Sequence, residues 1–188
     1  MSAVAMEQRK RIHPHKFTLW VAIGSILMMF AGLTSAFIVK RNQAGWVSFE
    51  WSVFFWYSTI VMIASSATMY ISLHAFKARE IAMYRTMVTV TLILGVLFIM
   101  LQVLGFRELW NKGITFNGKV SYSFLYTIVG IHAVHVLAGV IALLITFARA
   151  FSTKVRSYDS VPVELMNTYW HFVDVLWIYL LIFLLCIK

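Results

Sequence analysis

Five apolar stretches, each long enough to cross a lipid bilayer, constrain the fold of this 188-residue chain more than any other feature. A transmembrane helix needs about 20 mostly apolar residues. The chain is 61% hydrophobic and 12% charged, whereas soluble proteins are about a quarter charged. We therefore predict an all-α fold, a membrane bundle of five transmembrane helices that forms a single domain over residues 1–188. The helices are expected at residues 17–39, 51–76, 86–106, 120–148 and 165–187.

The basic residues lie between the apolar stretches and predict the orientation of the bundle. Ten Lys and Arg residues lie in the N-terminal segment and in the second and fourth connections, and six lie in the other connections and the C-terminal tail. Because cytoplasmic segments carry the excess of Lys and Arg, we expect the N-terminus inside and the C-terminus outside. The net charge of +9 therefore indicates topology rather than nucleic-acid binding. The first stretch is too long for the core of a signal peptide and is expected to remain as an anchor.

The last apolar stretch contains two polar residues, His171 and Asp174, close to its middle. Residues three apart share a face of a helix, so the two side chains are expected to lie on one side. A charged group at the centre of a membrane costs at least about 2.5–3.5 kcal/mol. Asp174 is therefore expected to point into protein and to be hydrogen-bonded or neutral.

The fourth stretch carries two histidines, His132 and His135, one helical turn apart. Counted at about 1.5 Å per residue, His135 and Asp174 lie at a similar depth near the middle of the membrane. We expect a contact between His135 and Asp174 if the last two helices are neighbours. We also expect a hydrogen bond from His132 to Gln102 of the third stretch or to a backbone carbonyl group.

Three functional interpretations of these polar groups compete with a structural one. Haem binding would pair a histidine of the fourth stretch with His171 or His74 on a facing helix. A non-haem metal site would need a tighter cluster of histidines and carboxylates. Proton or ion transport would use Asp174, His171 and Glu164 as a relay. On the residues alone, buried hydrogen bonds that set the helix register are favoured, and no catalytic motif indicates an independent enzyme.

Two motifs nevertheless resemble one protein family. Residues 169–177, with the sequence Tyr-Trp-His-Phe-Val-Asp-Val-Leu-Trp, resemble the signature of the last helix of subunit III of the haem-copper oxidases, the cytochrome c and quinol oxidases. Glu164, six residues before Trp170, matches the glutamate that precedes this signature. The fourth stretch is similar to the family's Gly, His, His-Val, Gly pattern at Gly130, His132, His135, Val136 and Gly139.

The chain departs from the mitochondrial form of this family at two points. That form has seven helices, and the five stretches here resemble the short bacterial form, which lacks the first two helices and one wall of a lipid-filled cleft. When residues 25–30 are aligned with the family pattern of a serine, an acid and a later phenylalanine, Ile26 occupies the position of a buried acid. The role of that acid is therefore not expected in this chain.

The resemblance implies a non-catalytic subunit of a respiratory terminal oxidase in the bacterial inner (plasma) membrane, with no active site of its own. Haem and copper would lie in partner subunits, where oxygen is reduced to water, and none would be bound by this chain. The implied partners are the catalytic subunit I, subunit II, further respiratory-complex subunits and membrane lipids, with phospholipid as a further ligand. The implied roles are stabilisation of the catalytic subunit and support of proton uptake or oxygen access.

The resemblance also suggests two groups of functional residues, none of them catalytic and none a metal ligand. A buried polar network that joins the last two helices is expected at His132, His135, His171 and Asp174. Contacts with a lipid or a partner subunit are expected at Glu164, Arg149, Arg156 and Trp170. A haem-binding membrane cytochrome and a small proton or ion transporter remain the alternative functions.

Overall fold

The structure, a computed structural model, describes residues 14–42, 46, 51–152 and 160–187. The described residues form five helices and no strand, which confirms the predicted all-α class. The helices are α1 (Pro14–Arg41), α2 (Val53–Lys77), α3 (Ile81–Asn111), α4 (Val120–Phe151) and α5 (Val161–Cys186). Each is long and apolar enough to span a membrane. The orientation of the termini stays a prediction.

The helices extend beyond most of the apolar stretches because their flanking polar residues stay helical. The clearest case is α3, which begins at Ile81 and ends at Asn111.

A local signal marks the start of α2. Ser52 precedes α2, and its hydroxyl group accepts a hydrogen bond of 3.2 Å from the backbone N–H of Phe54. Such a cap satisfies one of the free N–H groups at the start of a helix.

Helices α2, α3, α4 and α5 form a ring in which each helix packs against the next and α5 closes the ring against α2. Helix α1 packs on the outside of this ring, against α4 and α5. Helices α4 and α5 each contact three others, and α5 is the more deeply buried of the two, with half of its most apolar segment inside the bundle. The stretch that carries His171 and Asp174 therefore lies on the most central helix of the bundle.

Large aromatic side chains fill the interior of the ring. Trp170 and Trp177 of α5 are fully buried together with Phe55 of α2 and Phe98 of α3. The Trp177 ring lies edge-on to Phe98, with 5.5 Å between the ring centroids. Such edge contacts between aromatic rings are favourable because the positive edge of one ring meets the negative face of the other. Trp177 thus reaches across the interior of the ring from α5 to α3.

Two glycines make room for the Trp170 indole. A Cβ atom added at Gly95 of α3 would lie 2.9 Å from Cη2 of Trp170, and one added at Gly139 of α4 would lie 3.2 Å from Cζ3. Contacts this short force neighbouring atoms to move. Glycine at these two positions therefore allows α3 and α4 to approach α5 closely enough to enclose the indole ring.

Candidate functional site

The two tryptophans of the α5 signature form hydrogen bonds to α2. The indole N–H of Trp170 donates to the hydroxyl group of Ser65 at 3.1 Å, and that of Trp177 donates to Thr59 at 3.0 Å. As the position along α5 increases, the partner position along α2 decreases, so the two helices run antiparallel. These bonds set the register of α5 against α2.

Trp170 does not have the position that was expected from the sequence. It was assigned to contact a lipid or a partner subunit, but only 1% of its surface is exposed. Gly95 and Gly139 leave space for its ring inside the bundle, and Ser65 provides the acceptor that its N–H group needs. A tryptophan whose polar group is satisfied internally gains by full burial. Trp170 is therefore a packing residue of the bundle interior.

His171 and Asp174 lie on the side of α5 that faces α2, next to Ser66. The Nδ1 atom of His171 is 2.6 Å from the Ser66 hydroxyl oxygen. Asp174 is 4% exposed, and neither of its carboxylate oxygens has a hydrogen-bond partner among the described residues. The Ser66 hydroxyl group lies close to this carboxyl group but lacks hydrogen-bond geometry. Asp174 is thus a buried carboxyl group without a partner in the described part of the chain.

His132 and His135 lie on α4, where they face aromatic rings. His132 stacks on Trp177 with 5.3 Å between ring centroids, and Phe30 of α1 lies edge-on to it at 6.3 Å. Neither ring nitrogen of His132 has a hydrogen-bond partner in the described structure. The Nδ1 atom of His135 is 2.8 Å from the backbone carbonyl of Ile131, one turn earlier. The two histidines therefore pack between α1, α4 and α5.

The structure separates the four residues of the predicted network into two groups. No hydrogen bond joins His135 to Asp174, for which a contact was expected, and His132 bonds neither to Gln102 nor to a backbone carbonyl group. Gln102 instead donates to Ser58 of α2 at 3.1 Å. The physical reason is the rotation of α5 about its axis. The side of α5 that faces His132 and His135 on α4 carries aromatic rings, whereas His171 and Asp174 lie on the neighbouring side, which faces α2.

Glu164, at the start of α5, joins three helices at one end of the bundle. One of its carboxylate oxygens lies 2.6 Å from Nζ of Lys16 in the first turn of α1, and the other lies 3.0 Å from Nζ of Lys77 in the last turn of α2. The Ser160 hydroxyl group donates a further bond of 3.2 Å. A carboxylate is also favoured at this position because the N-terminal end of a helix is electropositive.

The sequence analysis expected Glu164, Arg149 and Arg156 at a contact with a lipid or a partner subunit. The Glu164 carboxylate forms salt bridges with two lysines of the same chain, and its contact with a lipid or a partner stays a prediction. Arg149 is exposed near the end of α4. Arg156 lies outside the described residues.

The opposite end of the bundle has a similar cluster. Glu108, near the end of α3, accepts a hydrogen bond from the Ser52 hydroxyl group and forms a salt bridge of 2.7 Å with Lys112. The bond to Ser52 connects α3 with the start of α2. Each end of the ring therefore has one carboxylate, Glu164 or Glu108, that connects helices already in contact along their length.

The sequence analysis assigned no role to the α2 residues that receive these contacts. Ser58, Ser65 and Ser72 are fully buried and lie seven residues apart, as positions on the inner side of a packed helix do. Ser58 and Ser65 accept the bonds from Gln102 and Trp170. The seven-residue spacing of small polar residues was the signal that could have identified the inner face of α2.

The chemistry of the site is that of interhelical hydrogen bonding. Within the described ranges, no group of three or more His, Cys, Asp and Glu residues could hold a metal ion. Most of the buried polar side chains on α2 and α3 bind to one another or to the α5 tryptophans. Atoms without a partner among the described residues include Ser72 Oγ on α2, and Asn167 Oδ1 and both carboxyl oxygens of Asp174 on α5.

Comparison with known proteins identifies the family. The family model of cytochrome c oxidase subunit III matches residues 49–187, which include all four helices of the ring. The chain belongs to the cytochrome c oxidase subunit III family. Cytochrome c oxidase subunit 3 of Corynebacterium diphtheriae is 30% identical over 175 residues, which cover 86% of this chain and 85% of that protein.

Other bacterial relatives support the same assignment. The probable cytochrome c oxidase subunit 3 of Mycobacterium tuberculosis is 29% identical over 179 residues, which cover 89% of this chain and 88% of that protein. Cytochrome c oxidase subunit 3 of Bacillus subtilis is 26% identical over 167 residues, which cover 86% and 80%. The resemblance seen in the sequence is therefore confirmed.

This subunit III is a multi-pass bacterial membrane protein and a non-catalytic subunit of a terminal oxidase. Subunit III proteins do not themselves bind haem or copper. Neither the cytochrome nor the transporter alternative is favoured by these matches. A subunit of an oxidase implies a complex with other oxidase subunits.

Proposed function

We propose that this subunit III stabilises the catalytic subunit of a respiratory terminal oxidase and supports proton uptake or oxygen access to it. In this proposal subunit I holds the haem and copper groups, and subunit II and further respiratory-complex subunits complete the assembly. The observation that carries the proposal is the match of the family model to residues 49–187, the part of the chain that forms the helical ring.

The internal hydrogen bonds support a stabilising role. Trp170, Trp177 and Gln102 each connect two helices of the ring, and Glu164 joins three helices at one end. Buried polar pairs of this kind hold transmembrane helices in one arrangement, at about 0.6 kcal/mol for an average pair. A bundle with a defined outer shape can support a partner subunit along its whole depth.

The orientation belongs to the same proposal. The excess of Lys and Arg in alternate segments supports a cytoplasmic N-terminus. The end of the bundle with Glu164, Lys16 and Lys77 then faces the cytoplasm. We propose that Arg149, which is exposed at this end, contacts lipid phosphate groups or a partner subunit.

The experiment that tests the proposal follows haem through purification of the tagged chain. The complex is purified in a mild detergent, and a reduced-minus-oxidised spectrum is recorded before and after a harsher detergent removes the partners. We expect the haem absorption to leave with the partner subunits. Haem that stays with this chain would support the cytochrome alternative, and ion transport by the isolated chain in liposomes would support a transporter.

A second measurement tests the stabilising role directly. Oxygen consumption is followed over time for the oxidase purified with and without this chain. We expect a similar initial rate but a faster loss of activity without it, because the catalytic subunit then lacks its support. Equal loss of activity in both preparations would contradict a stabilising role.

A further inference from the structure

A groove on the outer surface of the bundle runs between α2 and α5, and we refer to it as the α2–α5 groove. It has a volume of about 500 Å³ and opens away from the ring. Its walls are mostly apolar, and they include Ile63, Ser66 and Ala67 on α2 and His171, Asp174 and Val175 on α5. The groove is therefore a mostly apolar surface with a polar centre.

The polar centre contains a group that needs a partner. Asp174 is 4% exposed, lines the groove and has no hydrogen-bond partner among the described residues. The oxygen of the adjacent Ser66 hydroxyl group lies 2.6 Å from Nδ1 of His171, and this hydroxyl group forms no hydrogen bond with Asp174. A buried polar group without a partner is unfavourable in any protonation state. Whatever occupies the groove is expected to bring a hydrogen-bond donor to this carboxyl group.

The depth of Asp174 limits what the occupant can be. It lies at the middle of the 26-residue helix α5, which places it about 20 Å from either end at 1.5 Å per residue. A phospholipid headgroup stays at the membrane surface, and acyl chains carry no donor. A donor at this depth is available on a side chain of another transmembrane helix.

The shape of the groove also fits a helix. Helices α2 and α5 run antiparallel, as the Trp170–Ser65 and Trp177–Thr59 bonds show, so the groove follows their axes. Ser66 and Ala67 are small residues in the middle of its α2 wall. Small residues let the backbone of a second helix approach closely within a membrane.

We propose that the α2–α5 groove seats a transmembrane helix of another oxidase subunit, and that this helix donates a hydrogen bond to the carboxyl group of Asp174. The inference rests on the proposed function, since it requires a bound partner subunit. It adds the surface that is used and the chemical character of the partner helix. The experiment distinguishes this helix from two other possible occupants of the groove, a lipid acyl chain and a second copy of this protein.

Photo-crosslinking in the membrane tests which occupant is present. A photoreactive amino acid is introduced at Ile63 or Val175 in the groove, and for comparison at Val103 of α3 or Val134 of α4. All four side chains are more than half exposed. We expect the groove positions to form a crosslink with a transmembrane segment of another oxidase subunit, identified by mass spectrometry, that has a donor side chain near the crosslinked depth.

Three results would overturn the inference. The first is lipid adducts alone at the groove positions, and the second is a crosslink to another copy of this chain. The third is a crosslink to oxidase subunits only from Val103 or Val134, in which case the proposed function stands and the groove assignment fails. If the chain also purifies without other oxidase subunits, the proposed function fails as well.

Substitution of Asp174 tests the hydrogen bond itself. Asp174→Leu should reduce co-purification of the partner in a stringent detergent by about tenfold, the equivalent of one buried hydrogen bond. Asp174→Asn keeps an acceptor oxygen and should have a smaller effect. Gln102→Leu is the matched control, because Gln102 is equally buried but bonds to Ser58 within the bundle. It should lower thermal stability without changing the Val175 crosslink.

The two Asp174 variants also separate loss of the contact from loss of folding. Each is checked by the thermal melting of the purified chain. If Asp174→Leu melts like the parent and still retains the partner and the Val175 crosslink in full, the proposed hydrogen bond does not exist.

Discussion

The indole nitrogen of Trp170 lies 3.1 Å from the hydroxyl oxygen of Ser65, and this bond crosses from α5 to α2 in the buried centre of the bundle. The ring of the same tryptophan fills the space beside Gly95 of α3 and Gly139 of α4. One side chain therefore contacts all three of the other helices in the ring. Changes at Trp170 and at its neighbours are expected to affect the whole bundle.

Replacement of Trp170 by Phe should lower the stability of the bundle. The change removes the N–H donor and leaves the Ser65 hydroxyl group without that partner, a loss of about 0.5–1.5 kcal/mol for one hydrogen bond, in addition to lost packing. Thermal melting of the purified oxidase, followed by loss of this subunit, measures the effect. Trp20→Phe is the control because Trp20 is exposed. A double-mutant cycle with Ser65→Ala isolates the hydrogen bond, and a coupling energy of zero would contradict it.

Substitution of Gly139 by Ala should also destabilise the bundle. The added Cβ atom would lie 3.2 Å from two ring carbons, one of Trp170 and one of Tyr169, so the helices must separate or the rings must move. Overpacking of this kind typically costs about 1–3 kcal/mol. The matched control is Gly130→Ala on the same helix, where no neighbouring atom lies within 4 Å. Equal melting temperatures for the two variants would show that α4 can move away from Trp170 without cost.

The five helices and the importance of residues 169–177 could be predicted from the sequence because membrane-spanning length and motif are local properties. The partners of each polar residue could not. Whether His135 meets Asp174 depends on the rotation of α5 about its axis, which is set by the fit of Trp170 and Trp177 between distant helices. That fit depends on contacts separated by more than 100 residues.

Glu164 is a second residue whose position, but not its partners, could be predicted from the sequence. Its position at the start of α5 was evident from the sequence, and so was its favourable place at the positive end of the helix. Its partners are Lys16, in the first turn of α1, and Lys77, in the last turn of α2. A partner such as Lys16, 148 residues away along the chain, could not be predicted from the local sequence.

Glu164→Gln should weaken the end of the bundle by a modest and salt-dependent amount. The variant loses two salt bridges, but both lysines are more than 40% exposed, so solvent screens the interactions. Partly exposed pairs contribute about 0.2–1 kcal/mol each. The difference in melting temperature from the parent should shrink as the salt concentration rises. Glu80→Gln, an exposed residue at the start of α3, serves as the control. A large loss that does not depend on salt would contradict this account.

His132→Phe should be tolerated, in contrast to His171→Phe. His132 stacks on Trp177, and neither of its ring nitrogens has a hydrogen-bond partner in the described structure. A phenyl ring keeps the stacking and removes two unsatisfied polar atoms, a change that is close to neutral or stabilising for a buried site. His171→Phe instead removes the bond to Ser66 and should lower the melting temperature. Both variants are compared by thermal melting of the purified complex. A strong loss of stability for His132→Phe would indicate that a hydrogen bond to this ring exists in the membrane, for example through a buried water molecule.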